Sequence, residues 1–465
     1  MEKVELPSEI VEKLPTEVRL YIAYLENQLA ELKAQLGQHS QNSSKPPSSD
    51  PPSAPARPPK TKTGKHKGAQ KGHKRHQREL VAVEEVDEVR EWRPTHCDNC
   101  TLPLRPHDQV GQPRRQQIWE VPAVKAVVTE HQFYQAECPS CAHISTAKAE
   151  ISSPKGSFGS NLTSLVATLH GRYRISMREI VALAQVLWQL PLALGSVAAM
   201  CAEASAALEE SYRQAQAKVA ASASCHMDET GWKTAGKRRW LWVAFSSMAV
   251  VFHLSLSRGG AVLEKLVGSS YGGVIHSDRL RSYRGVTANR HQLCWAHLLR
   301  NIKGLGQRAG PAQEWAAPTL EWVKELFALW HQYRRGELGW EELGIHMEFI
   351  RAGFHAQLEA GLEVADLKVQ SFSVELLEVE SCLWLFSELA GLEPTNNNAE
   401  RALRGAVIWR KTCFGSQSEV GERFVERLLT VEATCGKQQR SFVSYLKEAL
   451  EAKWAGQPSP ALFAA

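Results

Sequence analysis

Three acidic residues that lie far apart in the chain could together bind divalent metal ions. Asp228 ends a strand-like run in HMDETGW, and Asp278 ends another in VIHSDRLRSY. If these strands are neighbours in one sheet, both carboxylates emerge at its edge, and a helix across that edge could add Glu400 from NNNAERALRGAVIWRK. Carboxylate oxygens suit Mg²⁺, which keeps positions free for phosphate. Two such ions about 3.5–4 Å apart would favour an in-line displacement at phosphorus.

Each of these residues also has an ordinary structural interpretation. An Asp at the end of a strand often forms a turn or caps a helix. Asn397 and Glu400 have the spacing of a capping box, in which the glutamate reaches back to the N–H of the cap residue. Glu229 adjoins Asp228, but neighbours on a strand point to opposite faces, so we do not expect it at the same site. The residues alone leave the metal-binding and capping interpretations open.

Two CxxC pairs predict a structural zinc site. CDNC contains Cys97 and Cys100, and CPSC contains Cys138 and Cys141. Each knuckle turn aims two thiolates at one point, and two knuckles complete a tetrahedron with no open position for catalysis. The runs between them, QQIWEVP and AVKAVVTEHQFYQAE, are strand-like, so we predict a zinc ribbon-like module with a β insertion. Four independent buried cysteines are the alternative.

Near the N-terminus, the segment VRLYIAYLENQLAELKAQL predicts a helix with a short heptad seam. Its apolar residues alternate by four and three: Val18, Ile22, Leu25, Leu29, Leu32 and Leu36. This spacing is typical of a parallel dimer zipper, which we favour. The alternative is an amphipathic helix that packs on its own chain.

The segment after this helix is Ser/Pro-rich and then Lys/Arg/His-rich, so we expect it to be disordered. It has no acidic residue from Arg57 to Arg78, although the formal charge of the whole chain is only +5. Such a run, between a dimer helix and a zinc module, is expected to contact DNA phosphates. We include Lys71, Lys74 and Arg75 among the DNA-binding residues.

The composition argues against a secreted or membrane-spanning protein. The N-terminal MEKVELPSEIVEKL is charged throughout, unlike a signal peptide. The most apolar stretch, VALAQVLWQLPLALGSVAAM, is interrupted by Gln185, Gln189 and Pro191, which favours buried helices. Ten cysteines in such a chain favour reduced thiols or metal ligation over disulfides. We therefore expect a cytoplasmic protein without a membrane partner.

The remaining sequence predicts a multidomain α+β protein. Residues from about 160 to 220 have a helical pattern. ASCHMDETGW, RRWLWVAF and AVVFHLSLS then predict three successive strands, with turns near Gly236 and Ser246–Ser247. GGAVLEKLVG predicts a helix, GGVIHSD a strand, and HQLCWAHLLRNIKGL a strand that continues as a helix. Residues 304–392 have a helical pattern, and the last helices end near Trp454.

Taken in order, these motifs resemble the insertion-sequence-66 family of DDE transposases nearly from end to end. NSSKPPSSD at residues 42–50 is similar to the linker of that family, and the two CxxC pairs to its zinc-binding domain. HMDETGW followed by RRWLWVAF, SDRLRSY, and CWAHLLRNI are similar to its catalytic blocks. NNNAERALRGAVIWRK followed by FGSQSEVGERFVERLLTVEATC is similar to the third acidic block and the C-terminal extension.

The resemblance implies an RNase H-like catalytic domain, in which helices flank a five-stranded mixed sheet. It also implies that Asp228 bridges two Mg²⁺ or Mn²⁺ ions, while Asp278 and Glu400 each hold one. DNA strands would be cleaved and joined without a covalent protein–DNA intermediate. His297 in CWAHLLRNI would either orient substrate or be a structural histidine. Four basic residues near Glu400 would lie along DNA phosphates or form a solvated helix face: Arg401, Arg404, Arg410 and Lys411.

The implied partner is double-stranded DNA, at the terminal inverted repeats of a bacterial insertion sequence and at the target. Transposition joins two ends, so we expect a homodimer or higher oligomer, and accessory proteins of the element are candidate partners. The alternative is a catalytically inactive zinc and zipper DNA-binding regulator derived from a transposase. We predict a zipper-like helix at 1–37, a linker at 38–80, a zinc-binding domain at 81–150, a DNA-contacting helical domain at 151–222, a catalytic domain at 223–435 with a helical insertion at about 304–392, and a C-terminal helix and tail at 436–465.

Overall fold

The structure, a computed structural model, divides into two compact units. The described residues are 14–43, 50, 78–147, 157–308 and 310–463. The smaller unit comprises residues 55–125, and the larger comprises residues 1–54 and 126–465. No helix among the described residues is both long enough and apolar enough to cross a membrane.

In the smaller unit, local turns and polar contacts hold the described residues 78–125 together. Single 3₁₀ turns form at Val83–Glu85 and Pro106–Asp108. The Gln117 side chain accepts a hydrogen bond from the Val81 N–H at 3.0 Å and donates one to the Val81 carbonyl at 2.8 Å. This pair of hydrogen bonds satisfies both backbone groups of one residue, as a neighbouring strand would.

The prediction of a β insertion between the CxxC pairs is wrong for most of that segment. Residues 116–134 form neither a strand nor a helix, and only Gln135–Glu137 pairs, with Ile144–Thr146. The side chains of Val127 and Val128 are 91% and 88% exposed. A strand is stabilised by a paired neighbour and a packed face. This run has neither in the structure, and its apolar residues therefore do not form a strand.

The larger unit is a mixed α and β structure. Among its described residues the helices are α1 Thr16–Leu36, α2 Ser160–Gly171, α3 Met177–Trp188, α4 Leu194–Ala207, α5 Glu209–Ala220, α6 Ala261–Val267, α7 Trp295–Gly306, α8 Pro311–Arg334, α9 Trp340–Leu362, α10 Leu367–Leu377, α11 Leu385–Glu388, α12 Asn397–Cys413, α13 Glu419–Lys437 and α14 Phe442–Trp454. The strands are β1 Gln135–Glu137, β2 Ile144–Thr146, β3 Ser224–Thr234, β4 Lys237–Phe245, β5 Val250–Ser255, β6 Val274–Ser277 and β7 His291–Leu293. The helical patterns predicted at about 160–220 and 304–392 are confirmed.

The main sheet has the strand order β5-β4-β3-β6-β7. Strands β3, β4 and β5 form an antiparallel meander, whereas β6 pairs in parallel with both β3 and β7. The β3–β4 hairpin turns at Ala235 and Gly236, whose φ angles are 48° and 75°. Two positive φ angles are what a type I′ turn requires. The three successive strands predicted from the sequence are therefore confirmed, and β3 lies in the centre of the sheet.

Helix α13 covers the edge of the sheet at β5. Three outward-facing N–H groups of this strand, at alternate residues, donate to side chains of α13 spaced one turn apart. The Val250 N–H donates to Thr434 Oγ1 at 3.2 Å, and the Phe252 N–H donates to Thr430 Oγ1 at 2.9 Å. The Leu254 N–H donates to the Glu426 carboxylate at 2.7 Å. The edge is thereby closed to pairing with another chain.

Substitution of one of these threonines is expected to destabilise the sheet edge. In Thr430→Val the shape is kept but the fully buried Phe252 N–H loses its acceptor. We expect the free energy of unfolding to fall by about 1–3 kcal/mol, with faster hydrogen exchange at the Phe252 amide. Thr430→Ser keeps the hydroxyl and is the control. Equal protection of this amide in the valine and serine variants would contradict the assigned role.

Two hydrophobic cores stabilise the larger unit. One joins the sheet to the helices before it and to α12–α14, and it buries Trp232 and Trp242. The other lies among helices α7–α11 and buries Trp295 and Trp384. With the exception of Val274 in β6 and Leu293 in β7, its buried members come from the stretch between β7 and α12. The helical insertion is therefore a bundle with a core of its own.

Helix α1 leaves most of its predicted seam in contact with solvent. Leu25, Leu29, Leu32 and Leu36 are between 42% and 81% exposed. The alternative in which these leucines pack on their own chain is therefore wrong. The zipper remains a prediction, because a second protomer is needed to test it.

Candidate active site

Asp228 and Asp278 occupy equivalent positions on two neighbouring parallel strands. In the β3–β6 ladder His226 is paired with His276, and their rings stack with centroids 4.2 Å apart. Each aspartate follows its histidine by two residues. Residues two apart on a strand share a face, so both carboxylates leave the same face of the sheet. Asp278 directly follows the end of β6, but the prediction that Asp228 ends its strand is wrong, because β3 continues to Thr234 in its hairpin with β4. Both side chains are half-buried.

Glu400 belongs to helix α12, whose start is fixed against strand β3 and helix α7. The fully buried Asn396 side chain donates to the Met227 carbonyl at 2.6 Å, one residue before Asp228. The Trp295 N–H donates to the Pro394 carbonyl at 2.9 Å. We call the contacts among Met227, Trp295, Pro394 and Asn396 the clasp. The clasp joins the two ends of the helical insertion beside the first aspartate.

Glu400 does not cap helix α12, so the capping interpretation is wrong. The helix begins at Asn397, Asn396 is the cap residue, and within the described residues no side-chain hydrogen bond caps the helix. The Glu400 carboxylate instead lies 3.4 Å from the Arg300 guanidinium and 3.6 Å from His297 Nδ1. The half-buried carboxylate therefore faces helix α7 rather than its own backbone.

The acidic residues form one electrostatic group. Burial, and then the charges of Glu229, Asp278 and Glu400, raise the pKa of Asp228 well above its usual range. Burial also raises the pKa of Asp278, although a hydrogen bond from a backbone N–H opposes this shift. Carboxylates that repel one another in a partly buried position favour a nearby cation. Their oxygen donors fit Mg²⁺ or Mn²⁺, and a divalent ion would supply the missing positive charge.

His297 is a neutral imidazole beside this group. Burial, together with the charges of Arg300 and Arg279, lowers its pKa to about 3. Its Nδ1 atom is buried and has no hydrogen-bond partner among the described residues. A structural histidine usually has such a partner, because an unpaired buried polar atom is unfavourable. The orphaned nitrogen favours a role at the site over a purely structural one.

Glu229 is held in a separate set of contacts, as the alternation along β3 predicted. Its side chain is 2% exposed, and Arg258 donates to it at 2.8 Å and 3.0 Å. The Tyr283 hydroxyl donates to its other oxygen at 3.3 Å. Sequence reasoning missed Arg258, which lies in a short polar turn after β5. The guanidinium also lowers the pKa of Asp278, so it connects this fourth carboxylate to the site.

Comparison with known families agrees with these motifs. A family model described as "Transposase IS66 family" matches residues 155–423, which is more than half of the 465 residues. The chain belongs to the IS66 transposase family. A second model, "Family of unknown function (DUF6444)", matches residues 5–79. No curated protein matches the chain. All three candidate acidic residues of this transposase lie in the first matched range, whereas both CxxC pairs lie between the two ranges.

The four basic residues of α12 in this transposase are not equivalent. Arg401, Arg404 and Lys411 are exposed, which suits contact with DNA. Arg410 is half-buried, and its guanidinium donates to the Gly231 carbonyl and to Thr230 Oγ1. It therefore attaches α12 to strand β3. The linker residues named above as DNA-binding, Lys71, Lys74 and Arg75, lie outside the described residues.

The two CxxC pairs of the transposase adopt the same turn, although they belong to different units. The Thr101 N–H donates to the Cys97 carbonyl at 2.9 Å, and Thr101 has a φ of 57°. The Ala142 N–H donates to the Cys138 carbonyl at 2.9 Å, and Ala142 has a φ of 55°. Backbone N–H groups inside each turn lower the pKa of its first cysteine. The largest effect on Cys97 comes from the N–H of Cys100, and the largest effect on Cys138 comes from the N–H of Ser140. Each turn therefore has the geometry and the acidic thiol of a zinc knuckle.

Proposed function

We propose that this chain is a DDE transposase that cleaves and joins DNA strands at the ends of a bacterial insertion sequence. The observation that carries the proposal is the convergence of Asp228, Asp278 and Glu400, whose charges interact although the residues are 50 and 122 positions apart along the chain. Membership of the IS66 transposase family supports the same reaction class. DNA is thus the proposed substrate, in the bacterial cytoplasm.

The sheet supports an RNase H-like catalytic domain. Strands β3, β4 and β5 form an antiparallel meander, and β6 and β7 then add in parallel on the other side of β3. If the five strands are numbered from β3 in chain order, the order in the sheet is 3-2-1-4-5. The first aspartate lies within β3 and the second directly follows β6, on two neighbouring parallel strands. The carboxyl end of such a strand, where Asp278 lies, is a common position for catalytic residues. Helix α12 then supplies the third carboxylate from across the sheet.

Asp228, Asp278 and Glu400 would hold the divalent ions through hard oxygen donors. Bound there, Mg²⁺ or Mn²⁺ supplies Lewis-acid activation of the attacking hydroxyl and charge stabilisation at the leaving 3′ oxygen. The clasp fixes the start of helix α12, and therefore the position of Glu400, relative to Asp228. Arg300, 3.4 Å from Glu400, lies where its guanidinium can orient a DNA phosphate. The chain therefore contributes position and charge, and no covalent intermediate is needed.

The proposed function is tested with DNA that carries the terminal repeats of the element. The protein is incubated with this DNA and Mg²⁺ or Mn²⁺, and the products are separated on a denaturing gel. We expect nicks that leave 3′-hydroxyl ends, followed by joined products. Binding of the repeats with neither product would instead identify a DNA-binding regulator. Nicks without joining would identify a nuclease.

Helix α12 is proposed to lie along DNA phosphates. Arg404→Ala is expected to weaken binding of the repeats and to reduce the slope of log affinity against log salt by about 1, with stability unchanged. Arg410→Ala is the matched variant, because Arg410 bonds to strand β3. It is expected to lower the free energy of unfolding by about 1–2 kcal/mol. A salt slope that Arg404→Ala leaves unchanged would contradict the proposed contact.

We also propose that the two CxxC turns bind structural Zn²⁺ that supports recognition of the DNA ends. The two matching knuckle turns support this. Cys100→Ser is expected to remove one tightly bound zinc in elemental analysis and to weaken binding of the repeats. Cys413→Ser, at a half-buried cysteine outside the knuckles, is expected to keep the metal. Full zinc content in Cys100→Ser would exclude this ligand set.

A further inference from the structure

A second set of metal-ligating side chains lies beside the candidate active site. Cys294 Sγ, a His297 ring nitrogen and a Glu400 oxygen all lie within 4.8 Å of one another. In the part of the chain that the structure describes, no other three Cys, His, Asp or Glu side chains meet this closely. Cys294 is 2% exposed, whereas Glu400 is half-buried. The reaction proposed above uses neither the thiol nor the imidazole as a ligand.

The fold positions these three donors before any ion binds. Cys294 precedes helix α7 and His297 lies in its first turn, so a C-x-x-H turn presents both side chains. The Asn396 N–H donates to Cys294 Sγ at 3.1 Å, which fixes the sulfur beside α12. His297 Nδ1 is buried, has no hydrogen-bond partner in the part of the chain that the structure describes, and lies 3.6 Å from Glu400 Oε1. A nitrogen without a hydrogen-bond partner at this distance from a carboxylate oxygen is positioned so that both atoms can bind the same ion.

The chemistry of this donor set differs from that of the three carboxylates. Sulfur and imidazole donors favour Zn²⁺ over Mg²⁺, which prefers oxygen. Three protein ligands also leave a fourth position for water or a phosphate oxygen. Among the described residues, the Arg300 guanidinium, 3.4 Å from Glu400, and the charge of Arg279 near His297 oppose a cation. Arg300 would have to move aside, and with 27% of its side chain exposed it has access to solvent.

We propose that Cys294, His297 and Glu400 form a Zn²⁺ site that is distinct from the CxxC pairs. On binding, the Cys294 thiol loses its proton to solvent and the sulfur becomes a thiolate ligand. The same ion takes Glu400 away from Asp228 and Asp278, so zinc inhibits Mg²⁺-dependent strand cleavage. Only this second consequence rests on the proposed transposase function, because binding itself requires no catalysis.

Binding is tested with Co²⁺, which reports thiolate ligation by its near-ultraviolet charge-transfer absorption. Co²⁺ is titrated into the full-length protein to which Zn²⁺ has been added only in the amount that fills the CxxC pairs, so that the proposed site is still empty. We expect one added equivalent with this absorption, lost in Cys294→Ser and kept in Cys382→Ser, a buried cysteine of the helical insertion. His297→Gln is expected to weaken the added binding by more than about tenfold, with thermal unfolding unchanged. An absorption that Cys294→Ser leaves unchanged would overturn the site.

The consequence for activity is tested separately. In Mg²⁺, micromolar Zn²⁺ is expected to inhibit cleavage by the wild-type protein and to have a much smaller effect on Cys294→Ser, whose hydroxyl can still accept from the Asn396 N–H. If Co²⁺ bound as expected but Zn²⁺ inhibited both proteins equally, the metal site would stand. The proposal that zinc inhibits cleavage by binding Glu400 would be refuted. A protein that never cleaves DNA would refute the transposase proposal and leave the Co²⁺ result intact.

Discussion

Asp228→Asn is expected to abolish both strand cleavage and strand joining, while binding of the terminal repeats is kept. The asparagine amide has the shape of the aspartate carboxylate but carries no charge. The ligand proposed to be shared by the two metal ions is therefore lost. Loss of several kcal/mol of transition-state stabilisation corresponds to a rate decrease of about 10³-fold or more. Single-turnover cleavage of repeat DNA measures this effect. Joining that survives the change would refute the assigned site.

Asp228→Asn also makes a prediction about stability that separates metal binding from folding. Since burial and neighbouring carboxylates raise the pKa of Asp228, the neutral amide removes an unfavourable charge from the apo protein. We therefore expect a thermal midpoint equal to or higher than that of the wild type when Mg²⁺ is absent. Glu229→Gln is the matched control on the same strand. It leaves Arg258 without its charged partner but keeps all three proposed metal-binding carboxylates, so most of the cleavage should be retained.

Asn396→Ala is expected to slow cleavage by about 100-fold, because the clasp sets the position of Glu400. Without the amide, the Met227 carbonyl loses its donor and helix α12 can shift along β3. A misplacement of about 1 Å in a catalytic group can reduce a rate by that factor. The buried carbonyl left unpaired should also lower the free energy of unfolding by about 1–3 kcal/mol. Cleavage rates and urea unfolding measure the two effects.

The control for Asn396→Ala is Asn397→Ala, at the half-buried first residue of α12. This neighbouring asparagine makes no contact in the clasp, so its loss should change cleavage by less than about threefold. If Asn396→Ala cleaved as fast as Asn397→Ala, the clasp would not position Glu400. A conservative variant, Asn396→Asp, keeps the size but removes the donor, and we expect it to resemble Asn396→Ala.

Much of the fold follows from local patterns. The period of two in HMDETGW and RRWLWVAF predicted β3 and β4, and the Ala235–Gly236 turn joins them with the backbone that a hairpin needs. We also expected Asp228 and Asp278 to end their strands and to emerge at one edge if those strands were neighbours. Strands β3 and β6 are paired in parallel, but β3 continues past Asp228 to Thr234, so the two carboxylates share a face rather than two strand ends. The strands and the hairpin depend on residues close together in the sequence.

Long-range contacts could not be predicted in this way. The spacing of Asn397 and Glu400 fits a capping box, yet the first turn of α12 has no side-chain cap, because Asn396 occupies the cap position and bonds to a strand 169 residues earlier. The only sequence signal for this contact is the run of three asparagines after a proline. The alternating run before Cys138 failed for the opposite reason. Its pattern is right for a strand, but no strand of the described residues pairs with it before Gln135.

The clasp also bears on how chains of this kind can diverge. Trp295 and Pro394 are 99 positions apart in the chain, yet a single backbone hydrogen bond of 2.9 Å joins them. The helical bundle therefore leaves and rejoins the catalytic sheet at one point, and it carries its own core. Lengthening or trimming that bundle would change the number of residues between the second and third carboxylates without moving either. Sequence separation is then a poor guide to whether a homologue is catalytically competent, and the residues at the junction are a better one.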